Sequence, residues 1–189
     1  MKKKRLLALA LAALLALGAL TACGSDGGTA SGEADSAGQE EGYVPGGGLG
    51  YLGDVMHTYW FDFTVEDAYA CQSYGGYTAA ADKQLVVVTM TVKSTFLQSV
   101  PMGQLDFQIQ WGGEGEEDFA WPLAAQEEEQ LPDEYSLGIN EERSGVLVYE
   151  VPAGAVDFSV SFAEYFEDET EGDVYFVYFT ADTSGGASV

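Results

Sequence analysis

Leu105-Asp106-Phe107-Gln108-Ile109-Gln110-Trp111 carries an apolar side chain at every odd position and a polar one at every even position. Successive side chains of a strand point to opposite faces, so this period of two predicts a strand with one buried and one wet face. Val156-Asp157-Phe158-Ser159-Val160-Ser161-Phe162 repeats the pattern, and Tyr59, Phe61, Phe63 and Val65 alternate with Trp60, Asp62, Thr64 and Glu66. Leu85-Val86-Val87-Val88-Thr89-Met90-Thr91-Val92 is β-branched and mostly apolar, as a more central strand would be. Gly145 to Val151 and Val174 to Ala181 give two more candidates, and Asp118-Phe119-Ala120-Trp121 a short one. Pro152-Ala153-Gly154 reads as a tight turn between strands. No segment has a helical period. About seven short strands divided by turn residues predict an all-β, immunoglobulin-like sandwich of two antiparallel sheets.

Outside these strands the composition changes. Met1-Lys2-Lys3-Lys4-Arg5 is basic, Leu6 to Leu20 is almost wholly Leu and Ala, and Leu20-Thr21-Ala22-Cys23 follows. A basic segment, an apolar segment and small residues before a cut site make a secretory signal. The last four residues resemble the bacterial lipobox, in which a small residue precedes the cut and the cysteine accepts a diacylglyceryl thioether. The resemblance implies that residues 1–22 are removed and that Cys23 is lipidated. Two acyl chains on one residue hold a protein stably on a membrane. The lysines stay in the cytoplasm, so the rest faces outward. Residues 23–50 are rich in Gly, Ser and acidic residues and read as a flexible linker reaching roughly 30 Å. Residues 51–181 form the domain, and 182–189 a frayed tail.

The charge balance narrows the partners. Without the signal the chain keeps Lys83, Lys93 and Arg143 against all 31 acidic residues, a net charge of −28. Nucleic acid is excluded, because its phosphates would be repelled, and so would anionic headgroups and wall polymers. With Cys23 acylated, Cys71 has no internal disulfide partner and is expected to be buried as a small hydrophobe.

A resemblance joins these strands. Gln84-Leu85-Val86-Val87-Val88-Thr89-Met90-Thr91-Val92-Lys93 looks like a central strand of the telokin-like, immunoprotective-antigen-like domains of Gram-positive lipoproteins. Gly145-Val146-Leu147-Val148-Tyr149-Glu150-Val151-Pro152 is similar to their late Gly-x-Leu-x-Tyr/Phe-x-Val-Pro segment, and Thr58 to Val65 to their first strand. The turn after the central strand departs from the pattern: Asn is usual there, and this chain has Ser94-Thr95-Phe96-Leu97. The resemblance implies an immunoglobulin-like fold at the cell surface and carries over no catalytic residue.

Chemistry-bearing residues are sparse. His57 is the only histidine, and a nucleophilic site needs a base positioned by further groups. Zinc would need several His or Cys ligands, and only His57 and Cys71 remain. Asp182-Thr183-Ser184-Gly185 is similar to an aspartic-protease loop but lies in the tail, without a second copy. Two acidic runs could supply oxygen ligands for calcium: Glu114, Glu116, Glu117 and Asp118, and a second from Glu164 through Asp173 that includes Glu167, Asp168 and Glu169. Neither has EF-hand spacing. Trp60 falls on the polar parity of its strand and is the candidate for a partner contact, whereas Trp111 and Trp121 read as structural. The expected function is a non-enzymatic binding or structural module on a cell-surface lipoprotein, facing a surface protein or glycan. The alternative is a calcium-binding or ligand-sensing accessory lipoprotein acting through the acidic loops.

Overall fold

The alternating segments become strands because each has one face to hide, and two such faces close on each other. The computed structural model describes residues 47–112, 118–166 and 170–181. In chain order the strands are β1 (Gly48–Tyr51), β2 (Val55–His57), β3 (Phe61–Cys71), β4 (Ser73–Tyr74), β5 (Tyr77–Thr78), β6 (Lys83–Ser94) and β7 (Val100–Met102). They continue as β8 (Gln108–Trp111), β9 (Phe119–Ala120), β10 (Tyr135–Leu137), β11 (Glu142–Pro152), β12 (Asp157–Tyr165) and β13 (Glu171–Thr180). One sheet has the order β1-β13-β12-β8-β9 and the other β11-β6-β3-β2, with β10-β7 and β4-β5 as small added pairs. The protein is therefore an all-β, two-sheet, immunoglobulin-like sandwich. Among the described residues the only helical piece is a 3-10 turn, Gln104–Asp106.

The inward positions fill the space between the sheets. Phe61, Phe63 and Val65 of β3, Val86, Val88, Met90 and Val92 of β6, and Phe158 and Val160 of β12 are all buried. Phe61 meets Phe162 edge to face at 4.8 Å, and Phe63 meets Phe107 at 5.5 Å. Such geometry is favourable for rings beyond the area they bury. A register shift between Val65 and Asp67 lets Glu66 and Asp67 both stay exposed while Ala68 and Ala70 return inward. The turn at Pro152–Ala155 closes with Ala155 N–H donating to the Pro152 carbonyl (3.3 Å), and Gly154 takes a φ of 88° that its lack of a Cβ permits.

Four sequence expectations change. β1 begins inside the stretch read as linker and crosses into the domain at Tyr51, and it pairs with β13 in parallel, Leu49 opposite Phe176, so the sandwich is not wholly antiparallel. The alternation at Leu105 is not strand: the Gly103 N–H donates to Asp106 Oδ2 (2.8 Å), the 3-10 turn forms, and Leu105 is left 57% exposed. Residues 58–60 are a turn rather than the start of a strand. Trp121 is half exposed, against its structural reading: it follows the edge strand β9 and meets exposed Phe119 edge to face (6.3 Å).

Candidate functional site

Thr58 makes the turn that presents Trp60. Its N–H donates to the Phe61 carbonyl (3.0 Å), and its Oγ1 accepts from the N–H of Phe61 (3.1 Å) and of Trp60 (3.3 Å). This closes a hairpin between β2 and β3 with two aromatics, Tyr59 and Trp60, at its tip. A hydroxyl that satisfies its own turn is the usual reason for Thr or Ser at such a position. Trp60 is half-buried, with Phe166 at 5.1 Å and Tyr59 at 5.4 Å, and Tyr59 reaches Phe96 at 5.7 Å. Phe96 comes from the turn in which the chain departs from the resembled family.

Beside this cluster is a cleft of about 340 Å³ lined by Trp60, Phe96, Met102, Asp106, Phe162 and Tyr165, among others. Aromatic walls with a few polar groups are the usual chemistry of a small-ligand site. Asp106 is exposed to solvent by area, yet its carboxyl pKa is raised, first by desolvation and against the lowering effect of the Gly103 N–H. The two facts describe a group whose edge faces water while its surroundings are protein. Behind the cleft the Tyr135 hydroxyl points to Met102 Sδ (3.9 Å), and the Arg143 guanidinium lies 4.8 Å over the Tyr135 ring. Burial drives the Tyr135 phenol pKa well up.

The other candidates fall elsewhere. His57 Nδ1 lies 2.8 Å from Asp62 Oδ1 across the hairpin, a surface hydrogen bond with the His57 side chain mostly exposed. Cys71 is half-buried at the end of β3, with its thiol pKa raised by desolvation. Cys23, Glu114, Glu116, Glu117, Glu167, Asp168 and Glu169 lie outside the described residues. Asp118 is described, half-buried, its carbonyl accepting from Trp111 N–H (3.0 Å). Among the described residues no three His, Cys, Asp or Glu side chains group as metal ligands would.

One carboxylate escaped the sequence reading. Glu164, counted there in an acidic loop, is 1% exposed. Its Oε1 accepts from the Tyr59 N–H (2.7 Å) and the Tyr175 hydroxyl (3.1 Å), and its Oε2 from the Asp173 N–H (3.1 Å). It ties the Tyr59–Trp60 hairpin tip to β12 and β13. A buried polar group needs such partners. The signal was in the period: Phe158, Val160, Phe162 and Glu164 share one parity, so Glu164 continues the inward row of β12.

No family model matches the chain, and no curated protein matches it. Solved structures do. The candidate lipoprotein ycdA of Bacillus subtilis superposes with a TM-score of 0.53 at 14% identity, over 67% of this chain and 38% of that one. The yjhA protein of Bacillus subtilis superposes with a TM-score of 0.51 at 16% identity, over 68% of this chain and 99% of its own. The likeness to ycdA thus spans well under half of that protein. At these identities the likeness is one of fold, a bacterial β-sandwich.

Proposed function

We propose that this chain is a lipoprotein held on the outer face of the cell membrane through Cys23, whose immunoglobulin-like sandwich binds a partner rather than catalysing a reaction. The observation that carries the binding reading is the aromatic cleft at the Tyr59–Trp60 hairpin tip. Its walls are Trp60, Phe96, Phe162 and Tyr165, and its polar members are a carboxyl, an amide and a serine hydroxyl. The Ser99 hydroxyl is bonded to Ser136 (2.7 Å) and the Leu137 carbonyl (3.2 Å) and the Asp106 carboxyl to the Gly103 N–H (2.8 Å), an arrangement suited to recognising and orienting a ligand. The surface reading rests on the basic, apolar and Leu-Thr-Ala-Cys segments of residues 1–23. The sandwich likeness to a candidate lipoprotein is in keeping with it.

The test is metabolic labelling with an alkyne fatty acid in a Gram-positive host that expresses the full chain. The wild type should carry label, fractionate with membranes and be shaved from intact cells by added protease. Cys23→Ser should lose the label. A wild-type chain without label, or one resistant to protease on intact cells, would overturn the proposal.

A further inference from the structure

Register assigns side chains to the outer face of the five-stranded sheet. Leu49 and Tyr51 of β1 stand opposite Phe176 and Tyr178 of β13. Tyr178 and Phe176 stand opposite Ser159 and Ser161 of β12, and those serines opposite Gln110 and Gln108 of β8. Phe119 of β9 faces Gln110. Leu49 is 75% exposed, Tyr51 68% and Tyr178 41%. None of these positions carries a charge, in a chain with 31 acidic residues. Two carboxylates border the face: Asp54 Oδ2 accepts from the Tyr51 N–H (2.8 Å) at the edge of β1, and Asp157 Oδ1 accepts from the Thr180 hydroxyl (2.7 Å) at the end of β12.

The face has relief. Phe176 and Tyr178 stack at 6.3 Å, and Tyr51 lies 6.5 Å from Tyr178. Gln110 Nε2 donates to Gln108 Oε1 (3.3 Å) on the other side. Ser159 and Ser161 point outward between these rows and are 6% exposed each, lower than the aromatic row, and the Ser161 hydroxyl donates to the Gln108 carbonyl (3.4 Å). The serines therefore floor a shallow trough along β12, with an aromatic wall on one side and an amide wall on the other.

We infer that this trough binds an uncharged polysaccharide. A pyranose ring offers apolar C–H faces, which stack on aromatic rings, and hydroxyls, which bond to amides and serines; the two walls match these two chemistries. Charge selects among occupants. The chain, at −24, repels anionic polymers and a second copy of itself, and no side chain of the trough is a carboxylate that would pair with a cation. The field excludes an anionic chain, and the uncharged lining gives a cationic group no ion-pair partner, so a neutral chain fits the trough best. The trough is a different surface from the Trp60 cleft, so the two readings stand or fall separately.

The experiment uses the full chain reconstituted in liposomes, sedimented with insoluble chitin, cellulose, β-1,3-glucan and xylan, and titrated with the soluble hexasaccharide of any that retains it. Retention on at least one, unchanged by raising sodium chloride, is expected. Tyr51→Ala with Tyr178→Ala should weaken the titrated affinity about tenfold or more, since two central aromatic anchors are lost. Glu142→Gln, on the exposed face of the other sheet, should leave it near wild type. Retention on none of the four, retention that high salt removes, or binding that survives the double substitution would each overturn the inference. So would a wild-type dimer that Tyr178→Glu converts to a monomer. Near-ultraviolet circular dichroism of each variant, matching wild type, shows that the sandwich remains folded.

Discussion

The two sheets turn their backs to the outside in different ways. On the four-stranded sheet, one half of the outer face is polar: Asp62, Lys93 and Glu142 align in register, and beside them the Thr91 hydroxyl bonds Glu66 (2.7 Å) and Ser144 (2.7 Å). The other half is apolar, since Val87 and Val148 point outward by register, yet they are 1% and 0% exposed. The chain covers them itself. The β4–β5 hairpin leaves the end of β3, and the segment 123–131 bonds the free edge of β11 through Leu123, Leu131 and Val146. They meet where the Tyr74 hydroxyl reaches Glu129 (3.5 Å) and Gly75 passes against Glu127, bridging β6 between them. On the five-stranded sheet, Leu49, Tyr51 and Tyr178 are left open. The fold thus has the means to cover an outward apolar patch and applies them to one sheet only. An apolar patch kept open on an otherwise acidic chain marks a surface meant to be met.

The contrast breaks most visibly at the anchor of the covering segment. Leu131 is 1% exposed and packs against the inner face of β11 at Gly145. Leu131→Ala should cost about 2–5 kcal/mol, the range for emptying a buried leucine site, read as a lower urea midpoint. Gly145→Ala approaches the same contact from the other side. A Cβ there would stand 2.9 Å from Leu131 side-chain carbons and 3.0 Å from its backbone nitrogen. Over-packing of this kind should cost about 1–3 kcal/mol by the same measurement. If both changes were neutral, the segment would not be holding the cover down.

How far this was legible follows from which interactions are local. The inward rows of β3, β6 and β12 could be read because alternation records burial directly: Phe61, Phe63 and Val65 needed no partner to be assigned a side. Leu105 misled because the same alternation ran into a 3-10 turn set by a backbone bond from Gly103 to Asp106, which a period-two count does not weigh. Trp60, read on a strand, lies in the hairpin turn before β3, and its place there depends on the Thr58 hydroxyl, on Phe166 and, through Tyr59, on Phe96. The open trough was least legible. Its aromatic wall needs β1, which reads as linker because it opens within the run Gly46-Gly47-Gly48, to lie beside β13, more than a hundred residues away.

On the open sheet, single changes should leave stability almost alone. Tyr178→Ala removes a ring already 41% exposed and leaves no sealed cavity. Its unfolding midpoint should therefore correspond to a loss within about 0.5–1 kcal/mol of wild type, far below Leu131→Ala, because surface substitutions away from special features move stability little. A loss comparable to that of Leu131→Ala would mean that the open face is structural, and the contrast between the two sheets would fail.

The smallest effect sits on the covered face and reads the cover by chemistry rather than by stability. Cys71 pairs in register with Leu85 and so points outward, the same way as Val87 two residues along. Its thiol pKa is raised above the ordinary 9.0, first by desolvation and against the lowering effect of the Ser73 backbone. A raised pKa means less thiolate at a given pH, and the thiolate is what reacts. Alkylation of Cys71 by iodoacetamide at pH 8 should therefore be slower than that of a free cysteine peptide. The rate should go on climbing with pH beyond the point where the peptide levels off. Urea that unfolds the chain should bring the two profiles together. A folded-state profile matching the peptide would show that water reaches this face freely and that the β4–β5 hairpin does not cover its end of β3.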